Sequence, residues 1–306
     1  MSGYKIDNMK IVKLFHNPSA GDQEHTRKEL VKLIESAGYK CRYVSVKDDG
    51  WKEIEDDVDL VAIAGGDGAV RKVCKEVLKR RLLDRKIPVA VLPFGTANNI
   101  GNSLGLMLGH EALVNGWSRA CVKGVDVGII QGHDEESFFL EAVGFGIFPN
   151  LINKMKKLDE EPETAEESLK VALEQLCDIA DTYEARDCRL VIDGVDHSGK
   201  FLLVEVMNMP YLGPNLNLNP VADPGDGELE VIIIPEDQRG RLAGYIKDKL
   251  EGKEPEFLFS TLKGRSISIS WEGIHAHVDD TIVKEKSHFE LKIDTNKGVL
   301  DMLIPG

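Results

Sequence analysis

Leu60-Val61-Ala62-Ile63-Ala64-Gly65-Gly66-Asp67-Gly68 decides the fold. Five consecutive apolar residues describe a buried strand, and the turn after them is almost free of side chains. Three glycines allow positive φ angles and close approach of main-chain N–H groups, while Asp67 keeps a carboxylate at the strand's carboxyl end. Val70, Val73, Cys74, Val77 and Leu78 then recur at helical spacing and predict a helix over 69–80. Its amino end points at the same turn and favours an anion there.

Two neighbouring segments repeat the design. Ile87–Leu92 reads as a buried strand followed by Pro93-Phe94-Gly95-Thr96-Ala97-Asn98-Asn99, and Ile11–Phe15 runs into His16-Asn17-Pro18-Ser19-Ala20-Gly21. In an open α/β sheet ligands bind outside the carboxyl ends of the strands, so the three polar turns are expected on one edge. Residues 9–122 alternate throughout. Strands are predicted at 9–15, 40–46, 58–64 and 87–92, with helices at 23–37, near 50–56, at 69–80 and at 97–107. This is the pattern of a Rossmann-like parallel α/β domain, taken as residues 1–123.

From Gly124 the pattern changes to short apolar or alternating runs at 125–131, 137–143, 188–193, 200–207, 228–234, 266–271, 274–278, 288–293 and 298–303. Residues 124–306 are therefore expected to form an antiparallel β-sandwich domain, with the return of its last strand to the first domain left open. A helical insertion begins at Thr164-Ala165-Glu166-Glu167, which has capping-box spacing, and Leu169, Ala172, Leu173, Leu176, Cys177 and Ala180 form its stripe. Phe148, Leu151, Ile152, Met155 and Leu158 predict an amphipathic helix packed on the β domain. Beside Lys154, Lys156 and Lys157 the same pattern also suits a membrane-surface helix. The acidic stretch Asp159–Glu163 reads as a solvated loop.

Composition narrows the function. The 306 residues are 42% hydrophobic, ordinary for a globular protein, and no apolar run is long enough to cross a bilayer. The start Met1-Ser2-Gly3-Tyr4-Lys5 lacks a signal-peptide core, so a cytoplasmic location with peripheral membrane association is expected. Cys41, Cys74, Cys121, Cys177 and Cys188 are odd in number and widely spaced, which reads as reduced core thiols. A formal charge of −14 argues against nucleic acid as a partner, so any anion must be held locally by backbone amides and a metal. His275 and His277 share one strand face but no third ligand is evident, and a packed or solvated face is expected.

These motifs together resemble the diacylglycerol kinase catalytic-domain family, which includes bacterial soluble lipid kinases and sphingosine kinases and shares its nucleotide-site architecture with NAD kinases. Asn17-Pro18-Ser19-Ala20-Gly21 is similar to the family's Asn-Pro-x-Ser-Gly loop, Gly65–Gly68 to its Gly-Gly-Asp-Gly loop, and Pro93–Asn99 to its third nucleotide loop. Gly144-Phe145-Gly146 and Pro220–Glu230 have counterparts too, so the likeness runs essentially end to end. It implies a two-domain, ATP- and magnesium-dependent lipid kinase with ATP in the cleft and a diacylglycerol-like acceptor approaching the β domain. Asn17, Pro18, Ser19, Gly21, Gly65, Gly66, Asp67, Gly68, Gly95, Thr96 and Asn98 are implied to hold ATP. Asp226 would organise the metal with Asp223 and Glu228 beside it. Asp279 would serve as the base, with Asp67 the second catalytic carboxylate.

Departures keep alternatives open. Gly225 stands where the family's metal segment has its first aspartate, Ala20 and Ala69 replace two hydroxyls, and Thr281 replaces the glutamate of the Asp-Gly-Glu turn, leaving Asp280 as the neighbouring carboxylate. Arg71 and Lys72 replace Asn-Glu, and stand in the helix's first turn where a phosphate would lie. A kinase of a sphingoid base or of NAD, or a nucleotide-binding regulatory module without catalysis, are the rival readings. Met209–Pro214 is an apolar candidate for lipid contact, and a transient membrane-surface contact and a homodimer complete the expected partners.

Overall fold

The computed structural model describes residues 10–21, 25–80, 86–158 and 162–306. They form two compact units, the first running to Gly95 with 104–123 and 300–306, the second made of 96–103 and 124–299.

In the first unit β1 (Ile11–His16), β2 (Lys40–Ser45), β3 (Leu60–Gly65) and β4 (Val89–Pro93) make a parallel sheet in the order β2-β1-β3-β4. β3 and β4 are buried at every position, as their unbroken apolar sequence requires. α1 (Arg27–Ser36) starts at Thr26, whose hydroxyl accepts from Glu29 N while the Glu29 side chain accepts from Thr26 N. α2 (Asp67–Arg80) begins two residues earlier than its apolar spacing indicates, so Asp67 and Gly68 lie inside its first turn.

Three helical expectations change. No helix occupies 50–56: Trp51 N and Glu53 N close successive turns on Asp48 O and Gly50 O, and Gly50 has φ 76°. The helix expected at 97–107 shrinks to α3 (Asn99–Ser103) and ends before Gly105 at φ 68°. α4 (His110–Gly116) is a separate short helix. α3 clusters with the second unit, where Asn99 Nδ2 donates to Gly213 O and Asn102 Nδ2 to Asn215 Oδ1. The predicted start of the first helix and part of the acidic stretch at 159–163 lie outside the described residues.

In the second unit the chain runs through β5 (Cys121–Gln131), β6 (Phe138–Phe139), β7 (Ala142–Gly146), α5 (Ile147–Met155) and α6 (Ala165–Thr182). It continues with β8 (Arg186–Ile192), β9 (Val195–Asp196), β10 (Gly199–Met207), β11 (Tyr211–Leu212), β12 (Leu216–Asn217) and β13 (Leu229–Pro235). α7 (Arg239–Leu250), β14 (Ser260–Gly264), β15 (Ser266–Trp271), β16 (His275–Val278), β17 (Thr281–Lys284) and β18 (Phe289–Ile304) complete it. Antiparallel pairing follows the order β17-β16-β7-β10-β8-β15-β18, with β13 joining β10 to β14, and the unit is a β-sandwich. One core gathers Phe145, Val204, Trp271 and Phe289; the other sets Leu151, Leu176 and Ile246 of the helices against Leu202, Leu203 and Ile232.

α7 escapes the sequence pattern because Gly240 and Gly244 dilute its apolar stripe. The strands expected at 288–293 and 298–303 are one strand, β18, whose Met302 pairs in parallel with Val89 in the first unit. The expected run 137–143 splits into β6 and β7, because Leu140–Ala142 direct their N–H groups at Asp279 instead of a neighbouring strand.

Gly144 marks the tightest point of this unit. A Cβ there would lie 1.9 Å from Glu205 Oε2, and that carboxylate cannot retreat because His277 Nε2 holds it at 2.9 Å. Gly144→Ala is expected to cost at least about 2 kcal/mol of stability, the scale of overpacking a rigid interior, read as a lower urea midpoint.

Candidate functional site

In the first unit the three turns meet. Asn17 N donates to Ala64 O at 2.8 Å and Phe94 N to Gly65 O at 3.0 Å, fixing both outer turns to the end of β3. The contact is close enough to exclude side chains. A Cβ on Gly65 would lie 3.3 Å from Asn17 Cβ, one on Gly66 2.9 Å from Gly95 Cα, and one on Gly21 2.3 Å from Phe94 O. Gly66 O accepts from Ala69 N and Val70 N, so the amino end of α2 opens directly from this cradle. Asn17, Gly21, Gly65, Gly66, Asp67, Gly68 and Gly95 are thereby brought together. Ser19 is exposed beside Lys47, whose ammonium contacts its hydroxyl. Thr96 is exposed and Asn98, at φ 51°, is buried; both continue the third turn but cluster with the second unit. Arg71 is buried, and only Lys72 of that pair is open to solvent.

Behind the first turn lies a histidine chain that the motifs do not announce. His25 Nε2 stands 3.2 Å from Ala20 O, which can only accept, so that nitrogen carries the proton. His25 Nδ1 then accepts from His16 Nε2 at 2.8 Å, and His16 Nδ1 accepts from the Tyr43 hydroxyl at 2.9 Å. Burial, and then His25, hold the His16 imidazole down at about 4. The turn over 17–21 is thus braced by a proton chain that acid interrupts.

In the second unit the implied metal residues share a turn but do not converge on a common point. Asp223 Oδ1 accepts from Gly225 N, Asp226 Oδ1 accepts from Glu228 N while its Oδ2 takes the Lys263 ammonium at 3.0 Å, and Glu228 pairs with Arg265 at 3.5 Å. No group of three His, Cys, Asp or Glu side chains able to hold a metal occurs among the described residues. The turn is organised instead by Asp126, fully buried on β5, whose two oxygens accept from Gly227 N and Gly298 N at 2.6 Å each.

Asp279, expected as the base, is buried at φ 51°. Its carboxylate accepts from Leu140 N, Glu141 N and Ala142 N at 2.8 to 3.2 Å, which holds the chain between β6 and β7. Asp280 and Thr281 beside it form only a hydroxyl-to-carboxylate contact at 3.3 Å. His277 donates Nδ1–H to Asp279 O at 2.8 Å and turns Nε2 to Glu205. Burial alone weakens an imidazolium and raises a carboxylic acid, but the Glu205 carboxylate keeps His277 above the ordinary imidazole range, so the pair shares one proton. His277 belongs to this pair and His275 is half-buried, in keeping with a packed strand face.

Asp126, Glu205 and Glu230 are the residues that motif reading passes over. A single charge inside an otherwise apolar strand, as in Val125-Asp126-Val127 or Val204-Glu205-Val206, is the signal that marks them. Phe148 and Leu151 of α5 are buried in the core, as the reading of a helix packed on the β domain expects, while Met209 and Leu212 of the other apolar candidate are buried as well. Among the described residues no helix is long and apolar enough to cross a membrane. The five cysteines are free, with Cys121 exposed instead of in the core.

Two family models match in succession, the diacylglycerol kinase catalytic domain over residues 11–130 and the YegS C-terminal NAD kinase beta sandwich-like domain over 154–284. The chain belongs to the bacterial diacylglycerol-kinase-like lipid kinase family that these two domains define. A diacylglycerol kinase of Mycobacterium tuberculosis (strain H37Rv) is 22% identical over 263 residues, covering 84% of this chain and 79% of its own. One from Bacillus subtilis (strain 168) is 23% identical over 259 residues, covering 78% and 77%. The fold matches the crystal structure of a Bacillus anthracis (strain Sterne) diacylglycerol kinase with a TM-score of 0.72 at 22% identity, over 97% of this chain and 98% of that one.

Two outcomes follow from the first unit. Unfolded His16 binds a proton near 6.5 but folded His16 only near 4, so stability should fall as pH drops through that window. Melting curves should show this slope, and His16→Asn should flatten it. Gly66→Ala should push the turns at 65–68 and 93–95 apart and weaken nucleotide binding at least about tenfold, a loss of roughly 1.4 kcal/mol, measured by nucleotide-induced change in melting temperature.

Proposed function

We propose that the protein transfers the γ-phosphoryl group of ATP, carried as its magnesium complex, to a hydroxyl of a diacylglycerol-like lipid. The observation that carries this reading is the side-chain-free cradle at the ends of β1, β3 and β4, where a Cβ on Gly21 or Gly66 would collide with the facing turn and one on Gly65 with Ala69 of α2. Backbone N–H groups and the amino end of a fourteen-residue helix are what a polyphosphate needs, and α2 supplies that helix. Asn17, Pro18, Ser19, Gly21, Gly65, Gly66, Gly68, Gly95, Thr96 and Asn98 hold the nucleotide in this reading. Asp67, the first residue of α2, is the carboxylate this reading sets beside the cradle. Magnesium belongs to the nucleotide substrate here and offsets charge on its phosphate oxygens.

Phosphoryl transfer depends mainly on positioning and electrostatics and asks little covalent chemistry of the protein. That suits the second unit, where Asp279 is engaged with three main-chain N–H groups and acts as a positioning residue. The names of the Mycobacterium and Bacillus relatives support a diacylglycerol acceptor. One observation favours a second reading, a nucleotide-binding module without catalysis: Thr281 stands where the family has a glutamate, and the neighbouring Asp279 carboxylate is already committed.

The test is ADP release with ATP and magnesium across detergent-dispersed diacylglycerol, monoacylglycerol, ceramide, sphingosine and undecaprenol, with NAD as a further acceptor. Diacylglycerol-dependent release is expected, and Asp67→Ala should lower it at least about a hundredfold, the scale of losing one electrostatic group from a transfer site, with melting unchanged. ATP binding with no release from any acceptor would overturn the kinase reading in favour of the module.

A further inference from the structure

The family likeness implies a protein-held magnesium ion organised by Asp226, and the residues present do not fit one. Gly225 replaces the first aspartate of that segment, and a Cβ at 225 would lie 2.4 Å from Gly124 O, so no carboxylate enters from that position. Glu228 is turned to Arg265 and Asp223 to the turn's own backbone. What remains is Asp226 Oδ2 at 3.0 Å and Glu230 Oε1 at 3.2 Å, both from the Lys263 ammonium. Glu230 is 1% exposed and neither of its oxygens has a hydrogen-bond partner, so Lys263 is the charge that meets it. A second ammonium, Lys297, crosses Gly227, where a Cβ would lie 2.7 Å from Lys297 Cδ, and donates to Asp226 O at 2.8 Å.

Magnesium requires about six oxygens at roughly 2.0–2.1 Å in octahedral array. An ammonium has three donors, accepts longer contacts and can bridge two carboxylates from the solvent side, as Lys263 does at 42% exposure. Two carboxylate oxygens aimed at one point are also the beginning of a divalent-cation site.

We propose that Lys263 is a built-in cation: its ammonium takes the place at which a divalent ion would neutralise Asp226 and Glu230, so the turn over 223–230 is organised without a protein-held metal. Removing the ammonium should convert the same two carboxylates into a divalent-cation site. This inference is independent of the acceptor and of turnover, since its readouts use protein free of nucleotide.

The experiment uses the full chain, treated with chelator, at pH 8. The wild-type melting temperature should be unmoved by millimolar manganese. Lys263→Met should melt roughly 5 °C lower, the scale of a lost interaction in a unit of this size, and should recover most of that with manganese. Lys263→Met combined with Asp226→Asn should not recover. Manganese uptake followed by electron paramagnetic resonance gives a second reading. Wild type and Asp226→Asn should bind equally, and Lys263→Met should bind one ion more. Uptake by wild type that Asp226→Asn loses, or a Lys263→Met protein whose melting ignores manganese, would overturn the proposal. If Lys263→Met does not fold, the comparison of wild type with Asp226→Asn decides alone.

Discussion

A carboxylate taken out of water must be met by donors or by a cation, and the second unit is arranged around four that obey this rule. Asp126 gathers Gly227 N and Gly298 N, Asp279 gathers three successive N–H groups, Glu205 takes His277, and Glu230 takes Lys263. Asp126 and Asp279 fix backbone that the β ladders leave unpaired, whereas Glu205 and Glu230 lie within paired strands and meet side chains. The break between β6 and β7, the turn over 223–230 and the sharp point in β18 at Gly298 all trace to one of them. In a chain of net charge −14, internal donors are the resource that decides which turns hold their shape.

The first unit solves the converse problem. It arranges glycines so that its turns approach one another with no side chain between them. Gly65, Gly66 and Gly21 permit the contacts between neighbouring turns, while His16 and His25 brace the first turn from behind. A kinase of this family therefore divides its chemistry between a surface of donors and a set of buried acceptors, each in its own unit.

Much of this was legible in the sequence because strands buried on both faces and glycine turns leave strong local patterns. Leu60–Gly68 marked β3 and its turn, the spacing of Val70 to Leu78 marked α2, two further polar turns completed the cradle, and the alternation after Gly124 marked the sandwich. Occupancy was not legible. Asp226, Asp279 and Glu228 have the right types and spacing for chemistry, yet what faces each of them comes from residues far along the chain: Lys263, Leu140–Ala142 and Arg265. Local pattern also failed where glycine diluted it, in α7, and where a polar run at Asp294–Gly298 read as a turn within what is one strand.

That strand, β18, has a consequence for how the protein is made. Residues 289–299 belong to the second unit and 300–306 to the first, so the first unit is assembled from stretches separated by residues 124–299 of the second. During synthesis, which proceeds from the amino end, β4 waits for Met302 until the stretch 124–299 of the second unit has been made. Until then its free edge is the kind of unpaired strand that invites pairing with another nascent chain. A fragment cut after residue 123 would keep every nucleotide motif up to Asn99 and still lack the strand that closes its sheet.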